Sequence, residues 1–200
     1  MLSMFIMEYA KEENEFHNLY AQKAKLLSSI IDRKINERRT ILKALDFATK
    51  AHASQKRKNG KPYIIHPIRV ANNLMEEDIE TIVSALLHDV VEDTEFELED
   101  IEKEFGKEVR EIVDKLSKRK GETKESYIMR VSLNEKAKKI KVFDSIDNII
   151  SLEGIADKKW IEEHLSYWKA VVEKFGNEEE KKLAEEEEKK IKNSLREEEK

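Results

Sequence analysis

Two hundred residues suggest a single domain with enough chain to bury a sizeable core. Charged residues make up 40%, with five Gly and two Pro, a composition that favours helix. There is no Cys, which excludes disulfides, thiolate chemistry and Cys-ligated zinc. The net charge is −5, and residues 177–200, with ten Glu against six Lys and one Arg, carry −3 of it. Neither part is the basic footprint that nucleic-acid binding needs, so any positive charge that matters must be gathered at a site.

The opening Met1–Met7 is apolar but lacks a basic leader and runs into Glu8 and Lys11-Glu12-Glu13. It is too short for a membrane span and wrong for a signal peptide, so a cytoplasmic protein without a membrane partner is expected. Residues 8–38 carry Phe16, Tyr20, Ala24, Leu27, Ile30, Ile31 and Ile35 at three- and four-residue spacings. That pattern predicts one long amphipathic helix, an N-terminal extension (1–38) packed on the core. Thr40 suits the cap of a second helix running to Ala53. The stretch from Gln55 to Tyr63 reads as a loop, with Asn59-Gly60 as its turn and Pro62 as a breaker.

Pro67 suits the first turn of a third helix. The segment Ile79–Val91 is apolar around nearly its whole circumference, as a buried helix would be. Residues 97–105 and 107–117 predict two short helices parted at Gly106. A further helical stretch covers 124–150, with an interruption near 132–134, and another covers 157–175, closing at Gly176. The charged tail 177–200 predicts a solvated helix held by i,i+4 pairs, with Leu183, Ile191 and Leu195 as its few apolar positions. No run alternates as a strand would, so the fold class is all-α, with at most a short ribbon near Tyr63–Ile65.

Four ionisable residues, His88, Asp89, Glu92 and Asp93, fall in or beside the apolar Ile79–Val91 segment. At 100° per residue His88 and Glu92 share one face of such a helix, and Asp89 and Asp93 the next. Buried charge without compensation is costly, and a divalent metal with its water would supply that compensation. His66 in Ile64-Ile65-His66-Pro67 and Asp144 in Ile140-Lys141-Val142-Phe143-Asp144 also follow apolar residues at inward-facing positions. Two imidazoles and two carboxylates form a mixed donor set that suits Mn²⁺, Fe²⁺ or Zn²⁺ better than Mg²⁺.

The runs Ala51-His52-Ala53-Ser54-Gln55-Lys56-Arg57-Lys58-Asn59-Gly60-Lys61-Pro62-Tyr63-Ile64-Ile65-His66-Pro67 and Ala85-Leu86-Leu87-His88-Asp89-Val90-Val91-Glu92-Asp93-Thr94 resemble the HD hydrolase domain of the RelA/SpoT alarmone enzymes. Lys141-Val142-Phe143-Asp144-Ser145-Ile146-Asp147-Asn148 resembles that family's third block, and the likeness covers about residues 41–175. It implies an HD-domain helical bundle over 39–176, ending where bifunctional members continue into a synthetase domain, and hence a stand-alone small alarmone hydrolase. It further implies His66, His88, Asp89 and Asp144 as ligands of one Mn²⁺, and Glu92 and Asp93 as the acidic pair that activates water. Arg57 would lie against the guanine, Lys58 near the diphosphate and Asn148 at the ribose, with Ser151 where the family often has Thr. The implied reaction is hydrolysis of the 3′-diphosphate of ppGpp or pppGpp to GDP or GTP and pyrophosphate, by a monomer or homodimer whose partner is its nucleotide substrate.

The residues themselves agree: an Arg plane stacks on a purine better than a Lys does. Lys61, Arg69, Lys118 and Arg130 are further candidates for phosphate contact. Ser145 and Ile150 depart from basic residues in the larger members, and Asp147 from an aromatic or His. These departures touch substrate preference, leaving open another 3′-phosphorylated or adenine nucleotide as substrate, or a nucleotide sensor without turnover.

Overall fold

The computed structural model describes residues 18–152, 155 and 157–197. Phe16, the start of the expected first helix and the apolar opening lie outside these residues. Within them the secondary structure is helical throughout, apart from one isolated antiparallel bridge between Lys56 and Pro62. That bridge closes the Gln55–Tyr63 loop around Asn59-Gly60, and Gly60 takes the positive φ of 84° that such a turn requires. It stands in place of the ribbon expected near Tyr63–Ile65, because Ile65 already opens a helix.

The single helix expected over residues 8–38 is two. The first, α1 (18–29), ends in a turn, and α2 begins at Ile35 and runs to Ala51. Thr40 lies inside α2, with its Oγ1 donating back to the Asn36 carbonyl at 3.0 Å. The buried stripe also differs from the expected one. Leu26 and Ile30 enter the core, whereas Tyr20, Leu27, Ile31 and Ile35 are exposed. Apolar residues come here in adjacent pairs, and spacing alone cannot choose between the members of each pair. Arg33 anchors the turn, donating to the carbonyls of Met75 and Glu77.

Helix α4 (Ile79–Leu87) is the centre of the molecule. Asp78 caps it, accepting from the Thr81 amide at 2.9 Å, and every residue from Thr81 to Leu87 is buried. It packs against α2, α3 (Ile65–Asn72), α7 (Lys107–Leu116) and α9 (Glu135–Ile150). Between them lie α5 (Val90–Asp93), α6 (Leu98–Phe105) and α8 (Lys124–Val131). Gly106, at φ 90°, makes the corner between α6 and α7, as expected from its place in the sequence.

Helix α9 faces two clusters. Ala137 and Ile140 join the main core, while Val142, Ile146 and Ile149 pack with Ile161 and Leu165 of α10 (Lys158–Phe175). The charged tail forms α11 (Glu178–Glu197), and it is not a freely solvated helix. Ala184 and Ile191 are buried against α9 and α10, with Leu183 left 39% exposed. Between its two apolar faces α9 leaves Lys141, Asp144, Asn148 and, at its end, Ser151 in one i, i+3, i+7, i+10 row. That row is one wall of the site.

Candidate active site

Three separate stretches meet at this wall. Pro67 in the first turn of α3 sets the start of that helix and buries His66 directly before it. The expected continuous helix through Val91 is broken: α4 stops at Leu87, His88 and Asp89 form a turn, and α5 resumes at Val90. Asp89 sits at φ −97°, ψ −6°. The break turns two consecutive side chains toward one point, where an unbroken helix would aim them 100° apart. Asp144 comes from α9 and is 3% exposed.

Side-chain donor atoms of His66, His88 and Asp144 lie within 4.8 Å of one another. His66 Nε2 is 3.0 Å from Asp144 Oδ1 and 3.5 Å from Asp89 Oδ2. His88 Nε2 is 3.1 Å from Asp89 Oδ2 and 3.7 Å from Asp144 Oδ1. The outer nitrogens of both rings are occupied. His88 Nδ1 is 2.8 Å from the Ala85 carbonyl, which can only accept, and His66 Nδ1 is 2.7 Å from Asp147 Oδ2. Each ring therefore carries its proton on Nδ1 and turns Nε2 inward.

His88 Nε2 is buried and has no hydrogen-bond partner, because the nearby carboxylate oxygens are close without being aligned. An orphaned imidazole nitrogen facing two carboxylates is costly unless a cation completes the group. The residues present fit a divalent metal held by nitrogen and oxygen. Their electrostatics point the same way. Burial alone would push the His88 ring down and the Asp89 carboxyl up, but their attraction holds Asp89 well below the carboxylate range and His88 well above its usual value. The carboxylates thus draw positive charge to His88 Nε2: a proton when no cation is there, and a metal would displace that proton beside a carboxylate already ionised.

Glu92 and Asp93 stand at the edge of this cluster. The backbone amide of Lys118 donates to Glu92 Oε2 at 2.6 Å. The Tyr63 hydroxyl lies 2.6 Å from Asp93 Oδ2 and 2.7 Å from Asp89 Oδ2. Burial raises the pKa of Glu92 and of Asp93, and the charge of Asp89 adds to it. Lys141 Nζ donates to Asp144 Oδ2 at 2.6 Å, which keeps that carboxyl far below its usual range despite its burial. Tyr63 and Lys141 were not singled out from the sequence. Lys141 precedes Asp144 by three residues, and that spacing was the available signal.

These groups line a cavity of about 240 Å³ that also receives Lys118, Lys124 and Trp168. A second cavity of about 280 Å³ shares Tyr63, Asn148 and Trp168 with it and adds Arg57, Lys58, Ser151 and Trp160. Asn148 stands between them, donating to Asp144 Oδ1 at 2.6 Å and accepting from Arg57 Nη2 at 2.5 Å. Lys58 Nζ sits 3.9 Å over the Trp160 ring and lines the second cavity but not the first. Ser151 lies at the same end, its carbonyl 3.4 Å from Asn59 Nδ2. Two basic candidates are engaged elsewhere. Arg69 pairs with Asp147, and Arg130 is taken up by Glu122 and by the Asp114 and Ser117 carbonyls.

An all-α bundle with consecutive His and Asp at a helix break, completed by a distant His and Asp, defines a class. The chain matches the HD domain family over residues 44–145, and it belongs to that family. It is 35% identical over 153 residues to the human guanosine-3′,5′-bis(diphosphate) 3′-pyrophosphohydrolase MESH1, covering 70% of this chain and 86% of that one. It is 39% identical over 129 residues to an Aquifex aeolicus protein of the same enzyme name, covering 60% of this chain and 18% of that one. The chain spans under a fifth of the length of the first curated relatives it matches. A solved structure described as a metazoan ortholog of SpoT that hydrolyses ppGpp superposes with a TM-score of 0.68 at 28% identity, over 76% of this chain and 94% of that one. No helix among the described residues is long and apolar enough to cross a membrane.

Proposed function

We propose that this protein is a metal-dependent 3′-pyrophosphohydrolase of guanosine alarmones, converting ppGpp or pppGpp to GDP or GTP and pyrophosphate. One observation carries the reading: two joined cavities, one with a metal-ready cluster and an acidic pair, the other with an Arg beside aromatic rings. A nucleotide with a diphosphate on its ribose needs both. His66, His88, Asp89 and Asp144 would hold the metal, and their mixed nitrogen and oxygen donors favour Mn²⁺. When bound, the metal supplies Lewis acidity and lowers the pKa of water.

The protein's own groups do the rest. Glu92, one oxygen held by the Lys118 amide, takes the proton from the attacking water with the other. Its raised pKa brings it closer to neutrality, where a general base works best. Asp93 orients the water, fixed by Tyr63. The water oxygen bonds to phosphorus as the bond from phosphorus to the ribose 3′-oxygen breaks; pyrophosphate leaves, and the proton that Glu92 took passes to the 3′-oxygen, so the nucleotide ends with a 3′-hydroxyl. Lys118, Lys124 and Lys141 offer positive charge to the phosphates, while Arg57 stacks on the base, Asn148 meets the ribose, and Lys58 and Ser151 border the nucleoside. In this reading residues 39–176 form the catalytic unit, and 1–38 and 177–200 buttress it, in a cytoplasmic protein.

The test is a panel of nucleotides incubated with the purified protein and Mn²⁺. Release of pyrophosphate with GDP from ppGpp is the expected result. Orthophosphate release, or turnover confined to adenine or 3′-phosphorylated dinucleotide substrates, would replace the guanosine alarmone reading. Binding without turnover would make the protein a sensor.

A further inference from the structure

The two histidines of the cluster are held from behind by different means. His88 Nδ1 meets a main-chain carbonyl of its own helix, but His66 Nδ1 meets a carboxylate from another helix, Asp147 Oδ2 at 2.7 Å. Asp147 is 3% exposed, and its other oxygen, Oδ1, lies 2.5 Å from Arg69 Nε. Arg69 follows His66 by three residues on α3, so one helix presents a ring and a guanidinium that grip the same carboxylate of α9. A buried carboxylate is costly unless both oxygens are engaged, and here both are.

We propose that Asp147 is a positioning residue for the metal centre, with Arg69 fixing Asp147 in turn. The carboxylate accepts the His66 Nδ1 proton, locks the ring in that tautomer and orientation, and leaves Nε2 as a lone-pair donor facing Asp144 and Asp89. A carboxylate behind a ligating imidazole also raises its basicity, which a carbonyl does more weakly. The inference rests on the metal-site reading above, and it assigns a role to a residue outside the ligand set.

The experiment measures the Mn²⁺ dissociation constant by isothermal titration for wild type, Asp147→Ala, Asp147→Asn and Arg69→Met, with the metal-free melting temperature of each. Loss of an outer-shell partner of this kind typically weakens metal binding about 10- to 100-fold. Asp147→Ala is expected in that range. Asp147→Asn, which keeps an acceptor without the charge, should lose less, and Arg69→Met less again. If Asp147 only tied α3 to α9, the variants would lower the metal-free melting temperature while binding Mn²⁺ within twofold of wild type. That result would overturn the proposal and leave the metal site standing. Should Asp147→Ala fail to fold, Asp147→Asn decides: a dissociation constant within about twofold of wild type refutes the role, and one raised by more than about twofold supports it. Absence of Mn²⁺ binding in the wild type would sink both readings.

Discussion

Replacing Glu92 by Gln separates the acidic pair from the metal cluster more cleanly than any other change. The side chain keeps its length, and the Gln carbonyl can still accept from the Lys118 amide now 2.6 Å away. Only the charge on that hydrogen bond is lost, a difference of about 1 kcal/mol between charged and neutral acceptors. Metal-free stability should therefore fall by no more than that, and Mn²⁺ affinity should stay near wild type because Glu92 is outside the ligand set. Turnover is another matter. General-base catalysis contributes about 10²- to 10⁴-fold, or about 2.7–5.4 kcal/mol of barrier at 1.36 kcal/mol per tenfold. Pyrophosphate release from ppGpp at saturating Mn²⁺ is the assay. The pH profile adds a second reading. Burial raises the pKa of Glu92, so wild-type kcat/KM should decline with falling pH through a point above the usual glutamate range, as the base takes up a proton. That limb should vanish in Glu92→Gln. Turnover within threefold of wild type, or an unchanged acid limb, would remove Glu92 from the chemistry.

Asp89→Ala should abolish turnover and erase most of the melting-temperature gain that Mn²⁺ gives the wild type, whereas equal losses with and without metal would argue against ligation. Arg130→Ala should leave the KM for ppGpp unchanged while destabilising the fold by about 1–3 kcal/mol in urea unfolding, since the Asp114 and Ser117 carbonyls lose their donor. The same residue sets an acid response. The hydrogen bond from Arg130 holds Glu122 down to about 2, so its contribution is present above the normal glutamate pKa and is lost as pH falls toward 2. A wild-type stability curve with no extra acid loss relative to Arg130→Ala would contradict that pairing. Leu86→Ala, at the fully buried centre of α4, should cost about 2–5 kcal/mol in the same assay, and a loss below 1 kcal/mol would place α4 away from the core.

Much of the fold could be read from local chemistry. Gly106, Gly60, Asn134 and the Pro62 and Pro67 positions act through backbone preferences or caps that operate within a few residues, and the breaks they mark are where they were expected. Errors arose where the deciding contact was distant. The corner after α1 depends on Arg33 reaching carbonyls more than forty residues away. The tail looked solvated by composition, yet two small apolar faces, Ala184 and Ile191, suffice to seat α11 on α9 and α10.

At the site, the sequence determined which donors exist: imidazoles and carboxylates set among apolar neighbours, with motifs resembling a known hydrolase domain. Residue type and burial pattern are local properties, so they survive in one dimension. Tertiary structure decided how those donors serve one another. It broke the helix at His88, set Tyr63 between two carboxylates, spent Arg130 on main-chain carbonyls rather than phosphate, and put Asp147 behind His66. Each of these depends on a hydrogen bond a few ångströms long between segments far apart in the chain, and such distances exist only after the helices have packed.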